Sequence, residues 1–231
     1  MVSPVRKMFD GISRRYDFLN HALSGFRDVA WRRKCCRSLR GLVPRNARVL
    51  DSCGGTGDFL ITYKKVLGAP STGVIGDFSF GMLSRVRGKT DFPALQMDAL
   101  NMPFPDANFD VVLNGFGMRN LSDARKGLEE TFRVLAPGGY FMTLEFFAPE
   151  NRFGHFFYYR FAPLFIPAVG ALVSGKRDAY EYLVNSVRKF LKASEYATLA
   201  RSVGFEVRYV KTCDFGIAYR VLLMKPGVIR G

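Results

Sequence analysis

The sequence predicts a doubly wound α/β fold, with seven mostly parallel strands, one of them antiparallel, and helices on both faces of the sheet. Three observations carry this. The run Val49-Leu50-Asp51-Ser52-Cys53-Gly54-Gly55-Thr56-Gly57-Asp58 reads as a buried strand that breaks into a glycine turn and then a helix. Three successive apolar runs end at an acid, Asp51, Asp77 and Asp98. The last two apolar runs are separated by only a few residues, too few for a parallel crossover, so that pair is antiparallel.

The elements follow in order. The glycine turn after the first strand is a nucleotide-binding device, because glycine lets the backbone approach a ligand and the next helix points free N–H groups at it. A dinucleotide fingerprint is disfavoured, since its third glycine position is Leu60, and no Gly-Lys-[Ser/Thr] follows to make a phosphate loop. An acid followed by Gly55, Thr56 and Gly57 suits a ligand with an ammonium, a sulfonium and a ribose, of which S-adenosylmethionine is one; the alternative is an ordinary strand-to-helix turn. Gly73 to Asp77 is the second strand, and Asp77, twenty residues after Gly57, is placed to take both ribose hydroxyls. Leu95 to Ala99 is the third, with Asp98 set to accept from an adenine amino group. Phe109 to Asn114 is the fourth, introduced by the turn-rich Pro103–Asn108 segment. Ser122 is expected to cap a helix that runs to Leu135 and is stopped by Pro137-Gly138-Gly139. Tyr140 to Glu145 is the fifth strand, and Phe205–Thr212 and Ile217–Met224 close the sheet around a turn containing Gly216. This pattern resembles the class I, Rossmann-like methyltransferase fold, with ligands at the carboxyl ends of the strands.

Composition agrees with one sizeable core: the chain has 231 residues and is 48% hydrophobic. Adjacent Cys35 and Cys36 lack CxxC spacing and neither histidine lies near them, so no metal site or disulfide framework is expected and a reducing cytoplasm is favoured. The N-terminal residues, with Asp10 and broken apolar runs, lack the hydrophobic core of a secretion signal.

The net charge of +14 is unevenly spread. Residues 1–45 carry eleven Lys and Arg against three acids, residues 46–146 ten against eleven, and residues 147–231 thirteen against six. A neutral nucleotide-binding core is thus flanked by basic segments that attract an anionic membrane surface or nucleic acid. The aromatic stretch from Phe153 to Gly170 separates these partners. Arg160, Pro163 and Pro167 interrupt it, which excludes a membrane span, and few cations interleave its rings, unlike a single-strand binding groove. An apolar lid over a lipid-like substrate, at about residues 150–178, fits better than a core helix; no nucleic-acid partner is expected, and a peripheral position at the inner face of the membrane follows.

Longer motifs are more specific than the glycine loop. Tyr16-Asp17-Phe18-Leu19-Asn20-His21-Ala22-Leu23-Ser24 precedes Trp31; Phe116-Gly117-Met118-Arg119-Asn120 follows the fourth strand; Arg133 to Glu145 spans the fifth. With these the chain resembles, over nearly its full length, the UbiE family of ubiquinone/menaquinone-biosynthesis C-methyltransferases. Departures from the family pattern are Leu19 for methionine, Asp28 for histidine, Ala136 for lysine and Phe147 for serine.

The resemblance implies an N-terminal, helical, substrate-side segment (residues 1–45) joined to a methyltransferase domain (residues 46–231) in one compact unit. It implies S-adenosylmethionine contacts at Thr56, Asp77, Asp98 and Ala99, beside Asp51, Gly55 and Gly57. The family's serine after the fourth strand is Gly115 here, which leaves a backbone contact; Cys53, where many methyltransferases have glycine, reads as packing. The implied reaction is carbon methylation of a polyprenyl hydroquinone, demethylmenaquinol to menaquinol, with benzoquinol as the alternative ring and a homodimer as the implied assembly. Arg119, Tyr16 and Asn120 are the catalytic candidates, with Asp17 and His21 behind them for proton handling. Each has a plainer reading, Arg119 as the partner of a nearby acid. Two other classes stay open: an RNA or other small-molecule methyltransferase, although Asn114-Gly115-Phe116-Gly117 is no Asp/Asn-Pro-Pro-aromatic motif, and a non-catalytic S-adenosylmethionine-binding protein.

Overall fold

The computed structural model describes residues 27–68, 72–163 and 177–227, so Tyr16, Asp17, His21 and the later part of the expected lid lie outside the described residues. One sheet holds seven strands: β1 (Arg48–Ser52), β2 (Thr72–Asp77), β3 (Ala94–Gln96), β4 (Phe109–Gly115), β5 (Leu135–Glu145), β6 (Glu206–Cys213) and β7 (Ala218–Met224). Their spatial order is β3-β2-β1-β4-β5-β7-β6. The pairs from β3 through β5 are parallel, and β7 runs antiparallel to both β5 and β6. The predicted six parallel strands and one reversed strand are therefore present. The chain winds outward from β1 to β3, then returns to lay β4 on the other side of β1, and this switch opens a crevice at the carboxyl ends of β1 and β4.

Helices cover both faces: α1 (Arg27–Ser38), α2 (Asp58–Leu67), the short α3 (Phe80–Leu83), α4 (Ala124–Val134), α5 (Arg152–Phe156), α6 (Arg177–Lys189) and α7 (Ala193–Val203). Because successive strand residues point to opposite faces, Val49, Val111, Leu113, Met142 and Leu144 pack into one core with Trp31 of α1, Leu39 just beyond it and Leu60 of α2. Leu50, Val112, Phe141, Val221 and Leu223 pack into the other with Leu128 of α4 and Tyr196 of α7. Burial on both faces is why these strands read as continuous apolar runs. Phe147, the residue that departs from serine in the family pattern, fills the second core against Phe190, Tyr196 and Tyr219.

Three boundaries differ from the expectation. Helix α4 is capped by Asp123, whose Oδ1 accepts from the Lys126 amide at 3.0 Å, and not by Ser122; a carboxylate at the cap also meets the positive end of the helix dipole. Pro137-Gly138-Gly139 lies inside β5, not in a loop before it. Leu135 already pairs with Phe109, the register then shifts, Gly138 takes φ 79°, and its amide donates to the Lys225 carbonyl. Tertiary pairing thus draws the start of the strand across the expected stop. Strand β3 ends at Gln96, so Asp98 sits in the following turn, where its Oδ1 accepts from the Leu100 amide at 2.9 Å. Among the described residues no helix is long and apolar enough to cross a membrane.

Candidate active site

The loop after β1 forms the floor of the crevice. Asp51 is fully buried, and its Oδ2 accepts from the Leu60 amide at 3.0 Å. Its Oδ1 has no hydrogen-bond partner among the described residues. Burial pushes its carboxyl up to about 7, against the opposing pull of the Leu60 amide and the Arg32 charge. The chain curls over this carboxylate through a series of left-handed residues, Cys53 (φ 56°), Gly55 (φ 55°) and Gly57 (φ 85°). At Gly54 a Cβ would lie 2.8 Å from the Asp51 carbonyl oxygen and 2.9 Å from its carboxyl carbon, so only glycine lets the loop close this tightly.

Asp77, at the end of β2, fastens the loop from the side. Its Oδ2 accepts from the Gly55 amide at 2.9 Å and its Oδ1 from the Ser79 amide at 2.8 Å. Thr56 is buried, and its hydroxyl accepts from Lys89, whose ammonium also reaches Asp58 at 3.0 Å. Asp98 is exposed and Ala99 buried in the turn beyond β3. Gly115 ends β4, where a Cβ would come 3.1 Å from the Phe59 ring. Asp51, Gly55, Thr56 and Gly115 line a single cleft with Phe59, Phe116 and, from α1, Arg32; Gly57 caps α2 behind it. An orphaned buried carboxylate oxygen, a cradle that a Cβ would fill and an acid at the neighbouring strand end fit S-adenosylmethionine. Cys53 packs against Gly117, where an added Cβ would lie 2.4 Å from its own, and burial pushes its thiol up, away from thiolate chemistry.

The loop after β4 is built differently. Asn114 is buried, donates to the Ser52 carbonyl at 2.9 Å and accepts from the amides of Gly117 and Met118. Phe116 is held at φ 60°, a conformation costly for any residue with a Cβ. Its carbonyl accepts from Arg119 Nη1 at 2.7 Å and from Asn120 Nδ2 at 3.1 Å, and its amide donates to Leu144. Its ring stacks on Phe146 with centroids 4.6 Å apart, and Trp31 meets both rings. Trp31 is held in turn by a 2.7 Å bond from its indole N–H to Asp214, which Arg27 also engages.

Arg119 lies inside this assembly. It pairs with Glu145 at 2.6 Å, the two side chains being 5% and 0% exposed. Its guanidinium sits over the Phe146 ring, and its Nε has no partner among the described residues. Burial raises the Glu145 carboxyl while Arg119 and two backbone amides oppose that rise. Asn120 Oδ1 accepts from the Tyr182 hydroxyl at 3.2 Å, and Tyr182 is itself raised by burial against the Arg119 charge. The structure therefore brings Arg119 and Asn120 together on one carbonyl at the edge of the cleft. Arg32, Glu145 and Tyr182 did not emerge as site residues from the sequence. Glu145 was visible as the acid ending the fifth strand, but its partner lies 26 positions away. Among the described residues no group of three or more His, Cys, Asp or Glu is placed to hold a metal ion.

The ubiE/COQ5 methyltransferase family matches residues 2–224. A demethylmenaquinone methyltransferase of Deinococcus radiodurans is 42% identical over 221 residues, covering 93% of this chain and 89% of the relative. A ubiquinone/menaquinone biosynthesis C-methyltransferase UbiE of Geobacter sulfurreducens is 38% identical over 222 residues, covering 93% and 85%. Among solved structures, a SAM-dependent methyltransferase from Thermotoga maritima superposes with a TM-score of 0.67 at 18% identity, covering 95% of this chain and 98% of that one. One from Aquifex aeolicus gives 0.56 at 19% identity over 80% and 85%. These two likenesses speak for the fold.

Proposed function

The chain belongs to the ubiE/COQ5 methyltransferase family, the S-adenosylmethionine-dependent C-methyltransferases of quinone biosynthesis, and on that premise we propose that it converts demethylmenaquinol to menaquinol. The choice of the naphthoquinol ring is supported by the names of the Deinococcus relative and of a Thermus thermophilus relative at 39% identity, both demethylmenaquinone methyltransferases.

The observation that carries the reading is Phe116. Its ring walls the cofactor cleft while its carbonyl is held by Arg119 and Asn120, so the methyl-donor site and the proton-handling candidates meet on one residue. When bound, S-adenosylmethionine supplies an electrophilic methyl on a good leaving group. We assign its binding to Asp51 and Asp77, the Gly55–Gly57 loop, the Asp98–Ala99 turn and the Gly115 backbone. The ring carbon of the quinol must carry electron density from an ionising phenol. A guanidinium is a donor without an acceptor, so Arg119 serves as a cation and donor, stabilising phenolate charge, and not as a base. Asn120 and Tyr182 orient the hydroxyl or a water beside it. The Phe116–Phe146–Trp31 wall aligns a flat ring for in-line attack.

The polyprenyl tail calls for a surface that meets lipid. Phe153 and Phe215, 49% and 80% exposed, contact each other, and Arg27 pairs with Asp214, the residue before Phe215. This supports transient contact with an anionic membrane surface. Radiolabelled methyl transfer offered in parallel with demethylmenaquinol, a demethylated benzoquinol and RNA tests the whole reading. Label is expected in the naphthoquinol; label in the benzoquinol alone reassigns the ring, and label only in RNA overturns the quinol reading.

A further inference from the structure

We infer that Arg32 of α1 is the binding group for the α-carboxylate of the cofactor's methionyl moiety, opposite the unpartnered Asp51 oxygen that takes its α-ammonium. The inference rests on the cofactor's occupying the cleft after β1. Arg32 and Asp51 line that cleft together, one from the helix preceding the sheet and one from the end of β1. Both are buried, Arg32 with 8% of its surface exposed. A guanidinium carries five N–H donors. Here Nη1 alone is engaged among the described residues, by Asp28 at 2.7 Å. Asp51 keeps one oxygen without a partner.

Two opposite charges facing one cleft in a water-poor setting would ordinarily close on each other. They do not: among the described residues no ion pair joins Arg32 to Asp51, although Arg32 lies near enough to pull the Asp51 carboxyl down. The reason is Asp28, one turn earlier on α1, which is 2% exposed and holds the guanidinium through the i,i+4 pair. Asp28 stands where the resembling family pattern carries histidine, and that exchange supplies the anchor. What remains open between Arg32 and Asp51 is a cation donor facing an anion acceptor. An α-amino acid zwitterion is the complement of that arrangement, and a planar guanidinium matches a carboxylate in two parallel bonds.

Calorimetric titration with S-adenosylhomocysteine and with its decarboxylated analogue, which keeps the ammonium, tests this without turnover. Wild type is expected to bind S-adenosylhomocysteine roughly 10- to 100-fold more tightly, the range of a charge-assisted bond in a buried site. Arg32→Met should weaken S-adenosylhomocysteine alone, bringing the two ligands within about threefold; Arg32→Lys should keep part of the gap. Because Arg32→Met removes the cation that the buried Asp28 engages, the double variant Asp28→Asn/Arg32→Met provides the same comparison with neither charge present. Equal binding of the two ligands by wild type overturns the inference, as does an equal loss for both ligands in the variants, which would make Arg32 a support of the fold. Wild type that binds neither ligand overturns the placement of the cofactor in this cleft, and this assignment with it.

Discussion

The loops after β1 and β4 face each other across one crevice, and each follows a buried polar strand residue with a left-handed residue that is not glycine: Asp51 then Cys53, Asn114 then Phe116. They differ in how their polar atoms are met. The β1 loop is tied by backbone and by the neighbouring strand end, through Gly54 to Gly76 and Gly55 to Asp77, and still leaves one Asp51 oxygen unmet. In the β4 loop both Asn114 side-chain groups are engaged, and the turn beyond is clamped by the Arg119–Glu145 pair. A loop that must receive a charged ligand keeps an acceptor in reserve, at a cost in stability. A loop that must present a fixed wall is locked from within.

The largest effect is expected from breaking the lock. Glu145→Ala leaves Arg119 charged and buried without its partner, and chemical denaturation should show a loss of about 3–5 kcal/mol. Arg119→Ala should cut turnover by about 100- to 1,000-fold while S-adenosylhomocysteine affinity in the folded protein changes by less than about threefold. The double variant separates the two roles, since stability should return in part and turnover should not. Loss of cofactor binding in Arg119→Ala would instead assign Arg119 to folding and erase the contrast.

Next comes the tie between loops. Asp77→Ala removes the acceptor of the Gly55 and Ser79 amides as well as the proposed ribose contact, so S-adenosylhomocysteine should bind about 100-fold more weakly or worse. Unchanged affinity would mean that the β1 loop needs no support from β2.

The smallest effect concerns the reserved acceptor. Asp51 has a carboxyl raised from 3.8 to about 7 by burial. The folded protein thus holds this proton more tightly than the unfolded chain, and the stability cost of Asp51 grows as pH rises from about 4 to about 7 and is constant above. Asp51→Asn should therefore stabilise the ligand-free protein above pH 7, by at most about 2–4 kcal/mol, and change it little near pH 4. Over the same interval wild-type affinity for S-adenosylhomocysteine should rise with pH as the carboxylate ionises, and the Asp51→Asn variant should lose that rise. Thermal denaturation and calorimetry from pH 5 to 8 read both; a stability difference independent of pH would show that Asp51 is not the strained group.

The two loops were unequally legible. Short continuous apolar runs, the Gly54–Gly57 turn and the acids at strand ends marked the cofactor half, because an apolar run and a left-handed turn are local consequences of a few adjacent residues. The same local reading misplaced the α4 cap by one residue and began β5 too late, at Tyr140 instead of Leu135, since pairing with Phe109 overrode the Pro-Gly-Gly signal. On the substrate side the motif Phe116–Asn120 was visible as a string of residues with no geometry.

The sequence by itself determined the sheet, its one reversed strand, the glycine loop over Asp51 and the family to which the chain belongs. Only the tertiary structure decided that Arg119 is neutralised by Glu145, that Trp31 reaches Asp214 across 183 positions, that Tyr182 meets Asn120, and that Arg32 faces Asp51 while held off it by Asp28. The physical reason is separation along the chain. Backbone conformation is chosen by near neighbours, whereas the pairing of a buried charge is chosen by whichever partner the packed core delivers to it.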